Sequence, residues 1–204
     1  ALDYNLPNGS LIYASYAKGF ASGGFNNDDR VSAFPAETAD NYEIGTKGSY
    51  LDGKLQVNAN IFLFDYINNQ RSVARIDPNS GAASIATVPI QKAEVDGYEI
   101  EIKAFINDYF SVLASRGAYG GKYIEFLDDN GNDLTGFTYD AEGPESRTNI
   151  TLLNVFSLNS RTISSSLSWT HVGDDFTTTE LYDYSQLHNY STLDFTSSLQ
   201  ISDS

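Results

Sequence analysis

Apolar and polar residues alternate along this chain with the period of a β-strand. Over residues 38–50, Tyr42, Ile44, Thr46 and Tyr50 fall on one face, and Asn41, Glu43, Gly45, Lys47 and Ser49 on the other. Successive side chains of a strand point to opposite sides, so this split predicts a strand with one apolar and one polar face. Leu51-Asp52-Gly53 follows as a tight-turn signal. Over residues 54–68 the alternation resumes. Leu55, Val57, Ala59, Ile61 and Leu63 oppose Gln56, Asn58 and Asn60, and the second face turns aromatic at Phe62, Phe64 and Tyr66. Downstream, Tyr98, Ile100, Ile102 and Ala104 oppose Glu99, Glu101 and Lys103. Strands are also predicted over 10–18, 110–126, 148–158, 162–172 and 190–202, making roughly eight in all.

The connections between them alternate in length. Those near Leu51, Asn107 and Ser160 are a few residues long, whereas 19–37, 69–91, 127–147 and 173–189 read as long loops. Ordinary domains hold few long loops. Membrane-spanning barrels have short turns on one side and long loops on the other. The expected fold is therefore all-β: an antiparallel up-and-down transmembrane β-barrel segment of about eight strands, with long outer loops and short periplasmic turns. A soluble sandwich shares the alternation, with its polar face in water. In a barrel the apolar face meets lipid and the backbone pairs around a closed ring, because lipid offers no hydrogen-bond partners.

Composition narrows the function classes. The 204 residues include 27 acidic and 12 basic side chains, a formal net charge of -15. That balance argues against nucleic acid as a partner, since phosphate contacts want Lys or Arg. It also disfavours anionic ligands except where local basic groups override it. Cysteine is absent, which removes disulfides and thiolate metal sites. Fourteen Tyr and 12 Phe against one Trp suit surfaces that are half apolar and half wet. No apolar run reaches the ~18 residues of a membrane-spanning helix, a test that strands escape.

The front of the chain reads Leu11-Ile12-Tyr13-Ala14-Ser15-Tyr16-Ala17-Lys18-Gly19-Phe20-Ala21-Ser22-Gly23-Gly24-Phe25-Asn26. Later comes Phe34-Pro35-Ala36-Glu37-Thr38-Ala39-Asp40-Asn41-Tyr42-Glu43-Ile44-Gly45-Thr46-Lys47. The turn Leu51-Asp52-Gly53-Lys54-Leu55, the strand end Phe62 to Tyr66 and the segment Lys92-Ala93-Glu94-Val95-Asp96-Gly97-Tyr98-Glu99 follow in order. This series resembles the barrel of TonB-dependent outer-membrane receptors over residues 11–105; beyond that, only the strand pattern matches. The resemblance implies that residues 1–204 are part of a barrel of about 22 strands, with the plug domain and the final strands outside this chain. It implies energy-coupled uptake of a scarce solute across the bacterial outer membrane, most often a ferric siderophore or similar metal chelate. Oligosaccharide or cobalamin uptake, or a passive porin, are the alternatives. The implied partners are an inner-membrane energy-coupling protein reached through the plug, the small-molecule ligand, and outer-membrane lipid with its lipopolysaccharide. It implies no enzyme chemistry and no resident cofactor.

Candidate residues follow from pattern and resemblance together. Glu43, Lys47, Glu99, Glu101 and Lys103 are expected to face the lumen, where Glu43 and Lys47 either pair with neighbouring strands or plug, or stay solvated. Phe25, Phe34, Phe137, Tyr139, Tyr182 and Tyr184 are loop aromatics that either stack on a planar ligand or sugar, or form an interface girdle. Gly19, Gly23 and Gly24 read as turn geometry or close backbone approach. Asp128-Asp129-Asn130-Gly131-Asn132-Asp133 is rich in oxygen ligands, but its Gly falls early and Tyr139 stands where a closing Glu belongs. It reads as a solvated turn rather than a calcium site. The acidic loops point to a neutral or cationic ligand, or to a surface adapted to salty water.

Overall fold

A computed structural model describes residues 1–26, 33–76, 83–127, 133, 135, 144–158, 161–176 and 186–201. The strands are β1 (Leu2–Asn5), β2 (Leu11–Ala21), β3 (Gly24–Phe25), β4 (Ala33–Phe34), β5 (Glu37–Tyr50), β6 (Leu55–Ile76), β7 (Ala83–Phe105), β8 (Phe110–Glu125), β9 (Ser146–Leu158), β10 (Arg161–Val172), β11 (Asp175–Phe176), β12 (Gln186–Leu187) and β13 (Tyr190–Ile201). Nine of them form one antiparallel sheet in the order β1-β2-β5-β6-β7-β8-β9-β10-β13, a meander in chain order. Two small hairpins, β3–β4 and β11–β12, sit on the long-connection side. The sheet is open among the described residues, with β1 and β13 at its edges.

Directly paired residues share a face, so the register sorts every side chain. One face carries Ile12, Ala14, Tyr42, Ile44, Leu55, Val57, Ile61, Leu63, Ile100, Ile102, Ile150, Leu152, Leu167, Trp169, Leu193 and Phe195. Many of these remain well exposed, Ile61 at 58% and Phe195 at 69%. An apolar sheet face that no second layer covers is the face a barrel turns to lipid.

The edges of that apolar band fix its tilt. Leu55, Ala104, Val112, Leu152 and Leu167 lie on one line of paired residues. Leu55 opens β6 at a turn, yet the β9–β10 connection, at Leu158 and Arg161, lies about six residues beyond that line. Six residues along the strands over four strands across is about 20 Å against about 19 Å, a tilt of about 45°. The opposite edge steps the same way, from Asp65 on β6 to His171 on β10, whose line meets Arg116 and Ile100. About ten residues therefore separate the two edges on each strand. At that tilt they span about 25 Å, the thickness of a membrane's apolar layer.

Three features depart from the sequence pattern. β1 is too short to show alternation. The expected loop over 69–91 is mostly strand: β6 and β7 run on as a paired hairpin to Ile76 and Ala83. Residue Asn68 adopts a left-handed backbone with φ of 54°. Before it, Phe64 and Tyr66 pack on the inner cluster; after it, Asn69 and Arg71 are the buried positions. On β7 the phase flips too, from Val95 and Ala93 to Ile90, Val88 and Ala86. One phase change on each strand destroys the apparent alternation, and the segment then reads as irregular.

Candidate functional site

The face opposite the apolar band divides into two zones. In the lower zone, across β2, β5, β6 and β7, polar side chains meet along the pairing lines. Tyr13 Oη donates to Glu43 Oε1 at 2.6 Å, Asn60 Nδ2 to Glu99 Oε2 at 3.5 Å, and Asn58 Nδ2 to Glu101 Oε2 at 3.4 Å. Lys47 Nζ lies 5.5 Å from the centre of the Tyr13 ring, and Lys103 Nζ lies 4.9 Å from that of Phe105. A cavity of about 260 Å³ is lined by Tyr13, Glu43, Lys47, Asn58, Asn60 and Glu99, among others. The structure thus brings all five of the acidic and basic residues singled out in the sequence to one face.

The motif glycine Gly45 is explained here. A Cβ built on it would come within 2.5 Å of the Tyr13 hydroxyl and 2.7 Å of its ring. Tyr13 lies flat across the bare backbone and so reaches Glu43 two residues along. On the other face of the same strand pair, Tyr16 packs against Tyr42 at 5.3 Å, and its hydroxyl donates to Asp40 at 2.6 Å. The two most recognisable stretches of the sequence are partners across one strand pair.

The upper zone is aromatic and dry. Ile90, Ala93, Val95 and Tyr123 are buried together, with Phe64, Tyr66, Tyr119 and Phe126 packed against them. Phe64 stacks on Tyr66 at 5.9 Å, and Phe62 meets Phe64 edge-on at 5.7 Å. The sequence showed the β6 aromatics but not the cluster, whose other half comes from β7 and β8.

Side chains clamp the β3–β4 hairpin and its flanks to the tall β6–β7 hairpin. Asn26 Nδ2 donates to the Thr87 carbonyl at 2.7 Å and its Oδ1 accepts from the Thr87 N–H at 2.8 Å. Gln70 Nε2 donates to the Ser22 and Pro35 carbonyls, and the Gln70 N–H donates to Glu37 Oε2 at 2.7 Å. Gly24 lies under the Phe34 ring, whose tip is 2.6 Å from where a Cβ would stand. Close approach, rather than positive φ, is what Gly23 and Gly24 supply. Of the loop aromatics, Phe34 is thus held by its own hairpin, while Phe25 is 87% exposed. Phe137, Tyr139, Tyr182 and Tyr184 lie outside the described residues. So does most of the 128–133 segment, where Asp133 is described. Asp133 accepts from the Thr135 N–H at 2.9 Å. Hydrogen bonds from the Thr135 side chain and backbone hold its carboxyl below the usual carboxylate range.

At the upper edge of the apolar face runs a row of ion pairs: Lys18–Asp40 at 3.7 Å, Lys92–Asp65 at 3.5 Å and Lys122–Glu94 at 3.0 Å. Charge therefore begins where the apolar band ends.

A tilted antiparallel sheet of this kind, apolar outside, polar inside, and with its long connections gathered at one edge, is the wall of an outer-membrane β-barrel. The chain belongs to the family described as TonB dependent receptor-like, beta-barrel, whose model matches residues 1–204. It is an all-β piece of a receptor barrel of the bacterial outer membrane. It is similar to the ferric-pyoverdine 358 receptor of Pseudomonas putida, at 32% identity over 132 residues, 65% of this chain and 15% of that protein. It is also similar to the probable TonB-dependent siderophore receptor PiuA of Acinetobacter baumannii, at 32% identity over 116 residues, 52% of this chain and 14% of that protein. The chain thus spans about 15% of the length of these relatives. Among solved structures, the ferric yersiniabactin uptake receptor FyuA from Yersinia pestis superposes with a TM-score of 0.70 at 20% identity, over 97% of this chain and 28% of that one. At that identity the likeness concerns the fold.

Proposed function

We propose that the receptor of which this chain forms part takes up a ferric siderophore or similar metal chelate across the outer membrane. Uptake is driven by an inner-membrane energy-coupling protein acting through the plug. Family membership over residues 1–204, with siderophore receptors among the similar proteins, carries the reading. In it, Glu43, Lys47, Glu99, Glu101 and Lys103 line the lumen and hydrate it. The exposed ring of Phe25, on a hairpin clamped to β6–β7, is a ligand contact. The excess of acidic side chains favours a neutral or cationic chelate over an anionic one.

The test is uptake of radioactive iron by cells carrying the whole receptor, supplied with ferric chelates of differing net charge. Accumulation that stops when the proton gradient is collapsed supports the proposal, and Phe25→Ala should weaken chelate binding about fivefold. Uptake unaffected by loss of the gradient would identify a passive pore. Tight, salt-independent binding of a highly anionic chelate would overturn the charge preference.

A further inference from the structure

The stretch Ser22-Gly23-Gly24-Phe25-Asn26 is occupied almost wholly with fastening. The Ser22 carbonyl accepts from Gln70 Nε2 at 3.0 Å. A Cβ on Gly23 would stand 2.5 Å from the Phe34 carbonyl oxygen, and one on Gly24 would stand 2.6 Å from the Phe34 ring. Both glycines therefore let β3 and β4 close on each other. Asn26 reaches furthest. Over residues 83–91, β7 has β6 along one side and, among the described residues, no strand along the other. Thr87 lies on that stretch, and Asn26 takes up both of its backbone groups. Asn26 Nδ2 donates to the Thr87 carbonyl at 2.7 Å, and Asn26 Oδ1 accepts from the Thr87 N–H at 2.8 Å. A side-chain amide carries the same donor and acceptor as a peptide group. One side chain thus makes the two-bond exchange of an antiparallel strand pair. The remaining member, Phe25, pairs through its backbone with Ala33 and is 87% exposed.

Four residues of the stretch hold, and one ring is presented. An aromatic ring on a free loop loses conformational freedom when it meets a ligand, and that loss weakens binding. A ring fixed beforehand avoids it. We propose that Asn26 is the positioning residue for Phe25. By gripping the Thr87 backbone it makes β3–β4 and the β6–β7 hairpin one body, and it presents the Phe25 ring to the ligand in a fixed place. The atoms it grips are backbone, so the device needs an amide at position 26 and places no demand on the side chain at 87. Its effect on binding rests on the reading of Phe25 as a ligand contact, whereas the grip itself does not.

The experiment uses the whole receptor with a nitroxide label on Ala33→Cys, an exposed position of β4 opposite Phe25. The electron paramagnetic resonance line reads whether the hairpin is held. With Asn26 in place the line should be broad at every pH used. Asn26→Ala should sharpen it. Asn26→Asp should sharpen it as much at pH ~7, because a carboxylate cannot donate to the Thr87 carbonyl. At pH ~3.5, below the ordinary aspartate value of about 3.9, the protonated side chain again offers a donor and an acceptor, and the broad line should return. An unaltered line in Asn26→Ala, or no return at low pH, overturns the grip. Binding of a cationic and a neutral ferric trihydroxamate is then measured on the unlabelled variants by equilibrium dialysis with radioactive iron. Phe25→Ala and Asn26→Ala should each weaken it about fivefold, and the double variant no more than either, since the amide acts through the ring. Additive losses of about 25-fold in the double variant overturn the positioning role. So does full binding by Asn26→Ala beside weak binding by Phe25→Ala. A sharpened line in Asn26→Ala, with binding intact in both single variants or absent even in the wild type, sinks Phe25 as a ligand contact and leaves the grip standing.

Discussion

The lower and upper zones of the inner face are built on the same strands and behave as opposites. Below, Tyr13, Glu43, Asn58, Asn60, Glu99 and Glu101 leave their polar ends in an open cavity. Above, Phe64, Tyr66, Val95, Tyr119 and Tyr123 close on one another and exclude water. The division falls where the apolar outer band ends, and physics gives a reason. Within the membrane the outer face is held by lipid, so the inner face is free to be wet. Beyond the membrane the β6–β7 hairpin stands in water on both sides. It must bury apolar area of its own to stay ordered, because a lone two-stranded ribbon is marginal. The aromatic cluster and the clamps from Asn26 and Gln70 supply that support.

The comparison can be broken most severely from above. Ile90 is 1% exposed in the middle of the cluster. Ile90→Ala should destabilise the upper hairpin by about 3 kcal/mol. Hydrogen exchange on the whole receptor should then show fast exchange over β6 and β7 beyond Asn68, with the membrane-level part of each strand still protected. A smaller effect is expected below from Gly45→Val. The new side chain displaces the Tyr13 ring and breaks its bond to Glu43, at a cost of about 1–3 kcal/mol, measured as a lower urea midpoint for the refolded barrel. Smallest of all is Glu101→Gln, since an exposed hydrogen bond to a carboxylate in an open, wet cavity contributes little. The unfolding free energy should change by less than about 0.5 kcal/mol. A large shift there would show that the lower zone is a dry core like the upper one.

Much of this was legible in one dimension. The alternation over 38–50 and 54–66 assigned Glu43, Lys47, Asn58 and Asn60 to one face and Ile44, Val57 and Ile61 to the other, and pairing kept every assignment. The ordered motifs led to the family. What failed was the stretch over 69–91, expected as a loop, where the left-handed residue at Asn68 inverts the phase.

Within a strand, side-chain direction is a local property set by the two-residue repeat, so the sequence by itself determined the strands, their two faces and the apolar band. The membrane tilt, the Tyr13–Gly45 contact, the pooling of β6 and β8 aromatics around Ile90, Ala93 and Val95 of β7 and the meeting of Arg116 with Tyr98 and Thr148 depend on which residue stands opposite which. Register belongs to pairs of strands, and a shift of one residue in it would exchange the two faces. Only the tertiary structure decided it.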